Sequence, residues 1–399
     1  MEFSFAKRVQ GLNPSAIREI LKYAADPEVV SLSAGNPAPE AFPIKAVQEI
    51  SVRIFEEEPI TALQYSVTEG YPPLRAHLTT YMQQKHHIGR DFDDILITSG
   101  AQQAMEMVAK VLCDDGDVVI SEAPSFIGSL NSFRALSARL VGVEMEEDGM
   151  NMEKLEAALK ANPRTKFIYT IPNFQNPSGI TMSMEKRRQL YALAKQYGVL
   201  IVEDNPYGDL RYEGEHVPAI KSLDEDGIVM YVGSFSKVLS PGMRVGYAIA
   251  PKTLLQKMIV VKQGEDVHTN IWSQMVCEAF MTRYDYEAHL KGLCDIYRHK
   301  AQLMTNLLDT YLVPAGITYH PIQGGLFMWC DLPNGVNMPE FCTKAVKEHK
   351  VAVVPGNAFL VNESDPCQSF RINFSTPTDA DMEKGLERLG KFARSYVVR

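Results

Sequence analysis

The feature that most constrains this chain is a repeated alternation of short apolar runs with helix-length segments between residues 94 and 250. The runs fall at 94–98, 117–120, 140–144, 166–171, 199–204, 228–232 and 244–250, and valine and isoleucine recur in them. Runs of near-continuous apolar residues suit strands buried on both faces, as a parallel sheet requires. Helical stretches at about 101–112, 151–160 and 183–197 separate several of them. Such repetition builds a mostly parallel sheet with helices on both faces. The expected class is therefore α/β, with a large seven-stranded, mostly parallel sheet. At 399 residues the chain is too long for one small core. After residue 250 the texture changes to helices at about 270–282 and 285–310, short strands near 316–320, 325–330, 351–354 and 369–374, and a helix over 378–396. This pattern predicts a large domain over 46–285 and a smaller α+β domain over 286–399, which the arm and helix of residues 1–45 join.

Sheets of this kind bind ligands outside the carboxyl ends of their strands. Ser99, Phe126, Asn176, Asp204, Tyr207 and Lys237 all lie just past an expected strand end. Each has a plain alternative taken singly: Phe126 as core, Asn176 as a turn residue, Asp204 as a helix cap. Asp204 follows a strand that reads as buried on both faces, where a carboxylate is costly without a partner. Six placements on one rim point to an active site there. Ser99-Gly-Ala-Gln102 opens a helix, whose N-terminal N–H groups suit an anion.

The stretch Gly233-Ser-Phe-Ser-Lys-Val-Leu-Ser-Pro-Gly-Met-Arg-Val-Gly-Tyr247 carries the sharpest chemistry. A lysine beside small hydroxyl residues at the end of a buried strand suits an amine kept neutral for attack on an aldehyde. Ser234, Ser236 and Arg244 add donors and a planar fork for a phosphate. Phosphate, aldehyde and amine together suggest pyridoxal phosphate; an ordinary surface turn is the competing reading. Elsewhere, Arg371 in the middle of strand 369–374 is an edge charge or a carboxylate clamp. Arg18 on a short amphipathic helix, Gly35 in a turn-rich segment and Tyr65 in a loop stay open on spacing alone.

Composition closes other routes. A net charge of −9 leaves no basic excess for nucleic acid. No apolar run approaches a membrane span, and the first residues lack a signal segment. The six cysteines are dispersed without a Cys-x-x-Cys pair, and the nine histidines show no ligand spacing. We therefore expect no metal and a reduced, cytoplasmic location.

Asn176-Pro-x-Gly179, Asp204-x-x-Tyr207, Ser234-x-Ser-Lys237 and Arg244 occur in the order and spacing of the fold type I pyridoxal-phosphate aminotransferases, class I/II, and the chain resembles that family from about Asn13 to near its C-terminus. The resemblance implies that Lys237 forms the Schiff base and moves protons, and that Asp204 pairs with the pyridinium nitrogen. It implies that Tyr207 and Asn176 bond the phenolic oxygen and that Phe126 stacks on the ring, where the family often has tyrosine. Backbone groups of Ala101 and Gln102, with Ser234, Ser236 and Arg244, would form the phosphate cup. Tyr65 would reach the phosphate of a neighbouring subunit, implying a homodimer with shared sites. Arg371 would bind the substrate α-carboxylate. Ile17-Arg-Glu-Ile-Leu and Ser31-Leu-Ser-Ala-Gly-Asn-Pro-Ala-Pro-Glu are similar to the branch handling kynurenine, 2-aminoadipate and aromatic amino acids, in which Arg18 and the segment at Gly35 would meet the substrate. The implied reaction is a ping-pong transamination with 2-oxoglutarate as acceptor. A lyase or decarboxylase on the same fold, or a non-catalytic regulator, would keep the cofactor and change the outcome.

Overall fold

The computed structural model describes residues 3–10, 23 and 26–397. Seven strands form the large sheet: β1 Asp93–Thr98, β2 Val118–Ala123, β3 Arg139–Glu146, β4 Thr165–Thr170, β5 Leu200–Asp204, β6 Val229–Ser234 and β7 Gly246–Pro251. Their spatial order is β1-β7-β6-β5-β4-β2-β3, and a two-residue strand, Gly149–Met150, extends the β3 edge as a short hairpin. Neighbours run parallel except at β7, which is antiparallel to both β1 and β6. The expected seven long strands are present; the short eighth one lies in a glycine turn that carries no apolar run.

The central strands are buried throughout, with Phe167 to Thr170 and Ile201 to Asp204 almost fully removed from water. Helices Ala101–Leu112 and Met184–Tyr197 follow β1 and β4. The first buries Ala104, Met105, Met107, Val108 and Ala109. Three helices were not expected: Ile127–Ala135 and Lys252–Glu265, which carry no clear apolar period, and Met338–Lys347, which does, with Met338, Phe341, Cys342, Ala345 and Val346 on one buried face. Lys252–Glu265 buries only Leu255, Met258 and Lys262, while the β-branched run Ile259 to Val261 and Gly264 obscure its face. Met338–Lys347 did carry a legible start: Asn337 accepts from the Glu340 amide, with Pro339 in the first turn.

A second, antiparallel sheet orders Thr318–Tyr319, Phe327–Asp331, Ser369–Asn373 and Val354–Pro355. Its central pair sets Trp329 opposite Arg371 and Phe327 opposite Asn373. Val30–Ser31 pairs in parallel with Val351–Ala352, and the Asn373 amide donates to the Leu32 carbonyl at 2.8 Å. These bonds draw residues 32–36 alongside the strand that carries Arg371, and so bring Gly35 to the rim of the large sheet. Among the described residues no helix is long and apolar enough to cross a membrane.

Candidate active site

The carboxyl ends of β1, β2, β4, β5 and β6 meet the amino end of antiparallel β7, so residues far apart in sequence share one rim. They line a cavity of ≈ 330 Å3 that contains Ala101, Gln102, Phe126, Asn176, Asp204, Tyr207, Ser234, Ser236, Lys237, Arg244, Gly35 and Arg371. A larger cleft of ≈ 570 Å3 lies near Tyr81, Asp209 and Glu287 and holds neither Lys237 nor Asp204. The chemistry therefore selects the smaller one.

One wall is a cup of donors. Past β1, Gly100 takes φ +82°, and a Cβ there would stand 2.3 Å from Arg244 Nη2. Only glycine fits both the backbone angle and the space. The helix Ala101–Leu112 then opens with no side-chain cap, so the amides of Ala101 and Gln102 present its positive end. Arg244 itself has φ 54°, and its guanidinium reaches the Ser99 carbonyl at 3.4 Å and Ser236 Oγ at 3.5 Å. The Ser236 amide donates to Ser234 Oγ at 3.1 Å, which sets both serines on the same turn.

Lys237 follows that turn. Its ammonium donates to the Gly35 carbonyl at 2.7 Å. Burial, with Arg371 and Arg244 adding positive charge nearby, lowers its pKa to about 8. Asp204, at the end of β5, is only 4% exposed. Its Oδ2 accepts from the Tyr169 hydroxyl at 2.8 Å, while its buried Oδ1 has no protein partner. Loss of water pushes this carboxyl up to about 7, against the opposing pull of the Tyr169 bond. Asn176 donates to the Tyr207 hydroxyl at 3.4 Å, linking the loops after β4 and β5. Phe126 stands on the cavity wall at the start of the helix Ile127–Ala135.

Arg371 closes the other side. It is 3% exposed, donating to Asn176 Oδ1 and to the Ser33 carbonyl, each at 2.7 Å. Its guanidinium lies 4.2 Å from the Phe327 ring centroid and 4.8 Å from that of Phe359. Its Nε is buried without a partner. Burial lowers its pKa to about 10, which still leaves it charged at neutral pH. It is no edge charge.

Two expected residues do not join them. Tyr65 is 80% exposed and its ring lies edge-on to His268, with centroids 6.0 Å apart, outside this cavity. Arg18 lies outside the described residues. Sequence reasoning passed over Tyr169, Glu122, Phe327 and Phe359. Glu122 is fully buried and takes bonds from Thr170 Oγ1, the Ile171 amide and Gln175 Nε2, which fasten the Asn176 loop to the end of β2. No local signal marks Tyr169, which sits inside the apolar run 166–171; Glu122 lies just past the run 117–120, the same placement that drew attention to Asp204.

The residues present fit pyridoxal 5'-phosphate. A protonated ring nitrogen would satisfy the orphaned Asp204 Oδ1, the glycine-walled cup would take the phosphate, and the weakly basic amine would meet the aldehyde. The sheet and this rim are those of a fold type I pyridoxal-phosphate enzyme. Comparison with known proteins sharpens the class. The family model for aminotransferase class I and II matches residues 27–389, and the chain belongs to that family. It is 37% identical to an aromatic-amino-acid aminotransferase of Thermococcus litoralis, over 97% of this chain and 93% of that one. It is also 37% identical to a 2-aminoadipate transaminase of Thermus thermophilus, over 99% and 97% of the two chains. The structure of a Pyrococcus horikoshii kynurenine aminotransferase, in complex with PMP, KYN as substrates and KYA as products, matches with a TM-score of 0.94. That likeness comes at 34% identity and covers 98% of this chain and 97% of the other. The protein is a pyridoxal-phosphate-dependent aminotransferase.

Proposed function

We propose that this enzyme moves the amino group of an aromatic, kynurenine-type or 2-aminoadipate-type L-amino acid to a 2-oxo acid, with 2-oxoglutarate as acceptor, in a ping-pong reaction. The observation that carries the reading is one cavity in which a depressed lysine, a half-satisfied buried carboxylate and a buried arginine fork surround a donor cup. The similarity to aromatic and 2-aminoadipate aminotransferases supports the donor classes. Bound in the cavity, the cofactor supplies an electron sink for charge that develops at the substrate α-carbon.

The roles of this chain's residues follow from their chemistry. Arg371 pairs with the α-carboxylate through its planar fork and fixes the donor's orientation. Lys237 would move the α-proton at its Nζ, a transfer that its pKa of about 8 suits near neutrality. Asp204 would hold a proton at the ring nitrogen, Asn176 and Tyr207 would donate to the phenolic oxygen, and Phe126 would cover a ring face. Ala101, Gln102, Ser234, Ser236 and Arg244 anchor the phosphate. Tyr65 serves a second subunit's phosphate, so the working unit is a homodimer, and we place it in the cytoplasm.

The test is the visible spectrum of the purified protein under a panel of amino acids, followed by 2-oxoglutarate. Aromatic amino acids, kynurenine or 2-aminoadipate should bleach the band, and the oxo acid should restore it. A band indifferent to every amino acid would refute the reading. Lys237→Ala should lower turnover at least about a thousand-fold while the phosphate cup still retains cofactor.

A further inference from the structure

The two oxygens of Asp204 are treated differently by the protein. Oδ2 is held by Tyr169, and Oδ1 is left, buried and unbonded, on the residue that lines the cavity. Tyr169 sits on β4, beside β5, and pairs with Val202. On a pleated sheet that register makes Asp204 its diagonal neighbour on the same face, within reach of a phenol. The Tyr169 ring is fully buried and packs edge-on against Phe133, with centroids 5.4 Å apart, so the hydroxyl has one settled position. Burial and the nearby Asp204 charge raise the phenol well above its ordinary value, which keeps it a donor at every working pH.

We propose that Tyr169 is a positioning residue for the reaction: by holding Oδ2 it turns Oδ1 of Asp204 to the cofactor's ring nitrogen and keeps that carboxyl charged. This inference rests on the reading of Asp204 given above. The other ionisable groups around the carboxyl do not duplicate this work. Glu122 on β2 and the Tyr207 hydroxyl interact with its charge without bonding it. Lys237, Arg244 and Arg371 line the same space but donate to other acceptors. Tyr169 is therefore the protein donor that favours the ionised form through a bond. Taking the hydroxyl away removes the bond that opposes the upward push of burial, so protonation of Asp204 extends to higher pH and the pairing with a protonated ring nitrogen is lost earlier as pH falls.

The experiment titrates the cofactor-free protein with pyridoxal phosphate across pH, following tryptophan fluorescence, for wild type, Tyr169→Phe, Asp204→Asn and the double variant. Tyr169→Phe keeps the ring packing and should weaken binding about ten-fold, with its acid limb displaced upward by about one unit. In the Asp204→Asn background the same change should have no further effect, because a residue acting through Asp204 is silent once the charge is gone. Unchanged affinity and pH limb in Tyr169→Phe, or an equal loss in both backgrounds, would overturn the inference. Native binding and pH dependence in Asp204→Asn would instead overturn the reading of Asp204 itself. Should Tyr169→Phe not fold, 4-aminophenylalanine at position 169 keeps both ring and donor. Binding close to wild type is then expected, and a folded protein that binds as weakly as Asp204→Asn would sink the proposal.

Discussion

Arg371 and Lys237 are both cations removed from water, and burial lowers the pKa of each, yet only Lys237 is brought near neutrality. Arg371 keeps two carbonyl acceptors at 2.7 Å and two aromatic faces, so it stays charged while buried. Its fork is what a carboxylate needs, and a lysine at that position offers only a point charge. Arg371→Lys should raise KM for the amino donor by about ten- to a hundred-fold, with a smaller change in kcat, as steady-state kinetics would record. Lys237 has one acceptor, the Gly35 carbonyl, and two arginines nearby, so its charged form is less favoured than that of a free lysine and gives way near pH 8. A depressed amine gains its neutral form at lower pH than a free lysine. Capture of pyridoxal phosphate by the cofactor-free protein should therefore quicken with pH through about 8 and level off above it. A rate still climbing near pH 10, where a free lysine titrates, would contradict the burial argument.

At the scale of elements, the antiparallel β7 is the decisive piece. Reversing that one strand puts its amino end, and so Arg244, on the rim where the other strands end. The approach is tight. A Cβ on Gly246 would stand 2.7 Å from the Ala101 amide nitrogen, and one on Gly100 would run into Arg244. The helix N-terminus and the arginine thus form one cup only because glycines separate them. Gly100→Ala should cost about 1 kcal/mol of stability from its left-handed angle. It should also displace the guanidinium and weaken cofactor affinity about ten-fold, measured by thermal melting and by titration. Sequence patterning found the Ser99-Gly100 turn as an anion site, yet it could not show that Arg244, 144 residues past Gly100, fills the space above it.

For the whole molecule, the telling fact is that Tyr65 stands outside its own chain's cavity and is 80% exposed, beside other exposed apolar residues such as Ile60 and Leu63. The homodimer with shared sites proposed above would account for both. Tyr65→Phe dimers should bind pyridoxal phosphate about ten-fold more weakly. Mixing them with inactive Lys237→Ala chains should restore tight binding in one site of each mixed dimer. No recovery on mixing would show that Tyr65 acts within its own subunit or not at all.

The sequence by itself determined the sheet and the rim. Apolar runs fix which segments must be buried on both faces, and that burial forces a parallel sheet whose strand ends collect Asn176, Asp204 and Lys237. These are consequences of local pattern. What only the tertiary structure decided are the contacts that span the chain: Lys237 with Gly35 across 202 positions, Arg371 with Ser33 across 338, and Tyr169 with Asp204 across a strand pair. The first two depend on the pairing of Val30–Ser31 with Val351–Ala352, which places residues 33–35; the third depends on the register of β4 with β5, where a shift of one residue would put Tyr169 and Asp204 on opposite faces. Hydrophobic pattern tells which face of a strand is buried. Which polar partner waits there is a matter of three-dimensional packing, and that packing leaves one oxygen of Asp204 for the cofactor.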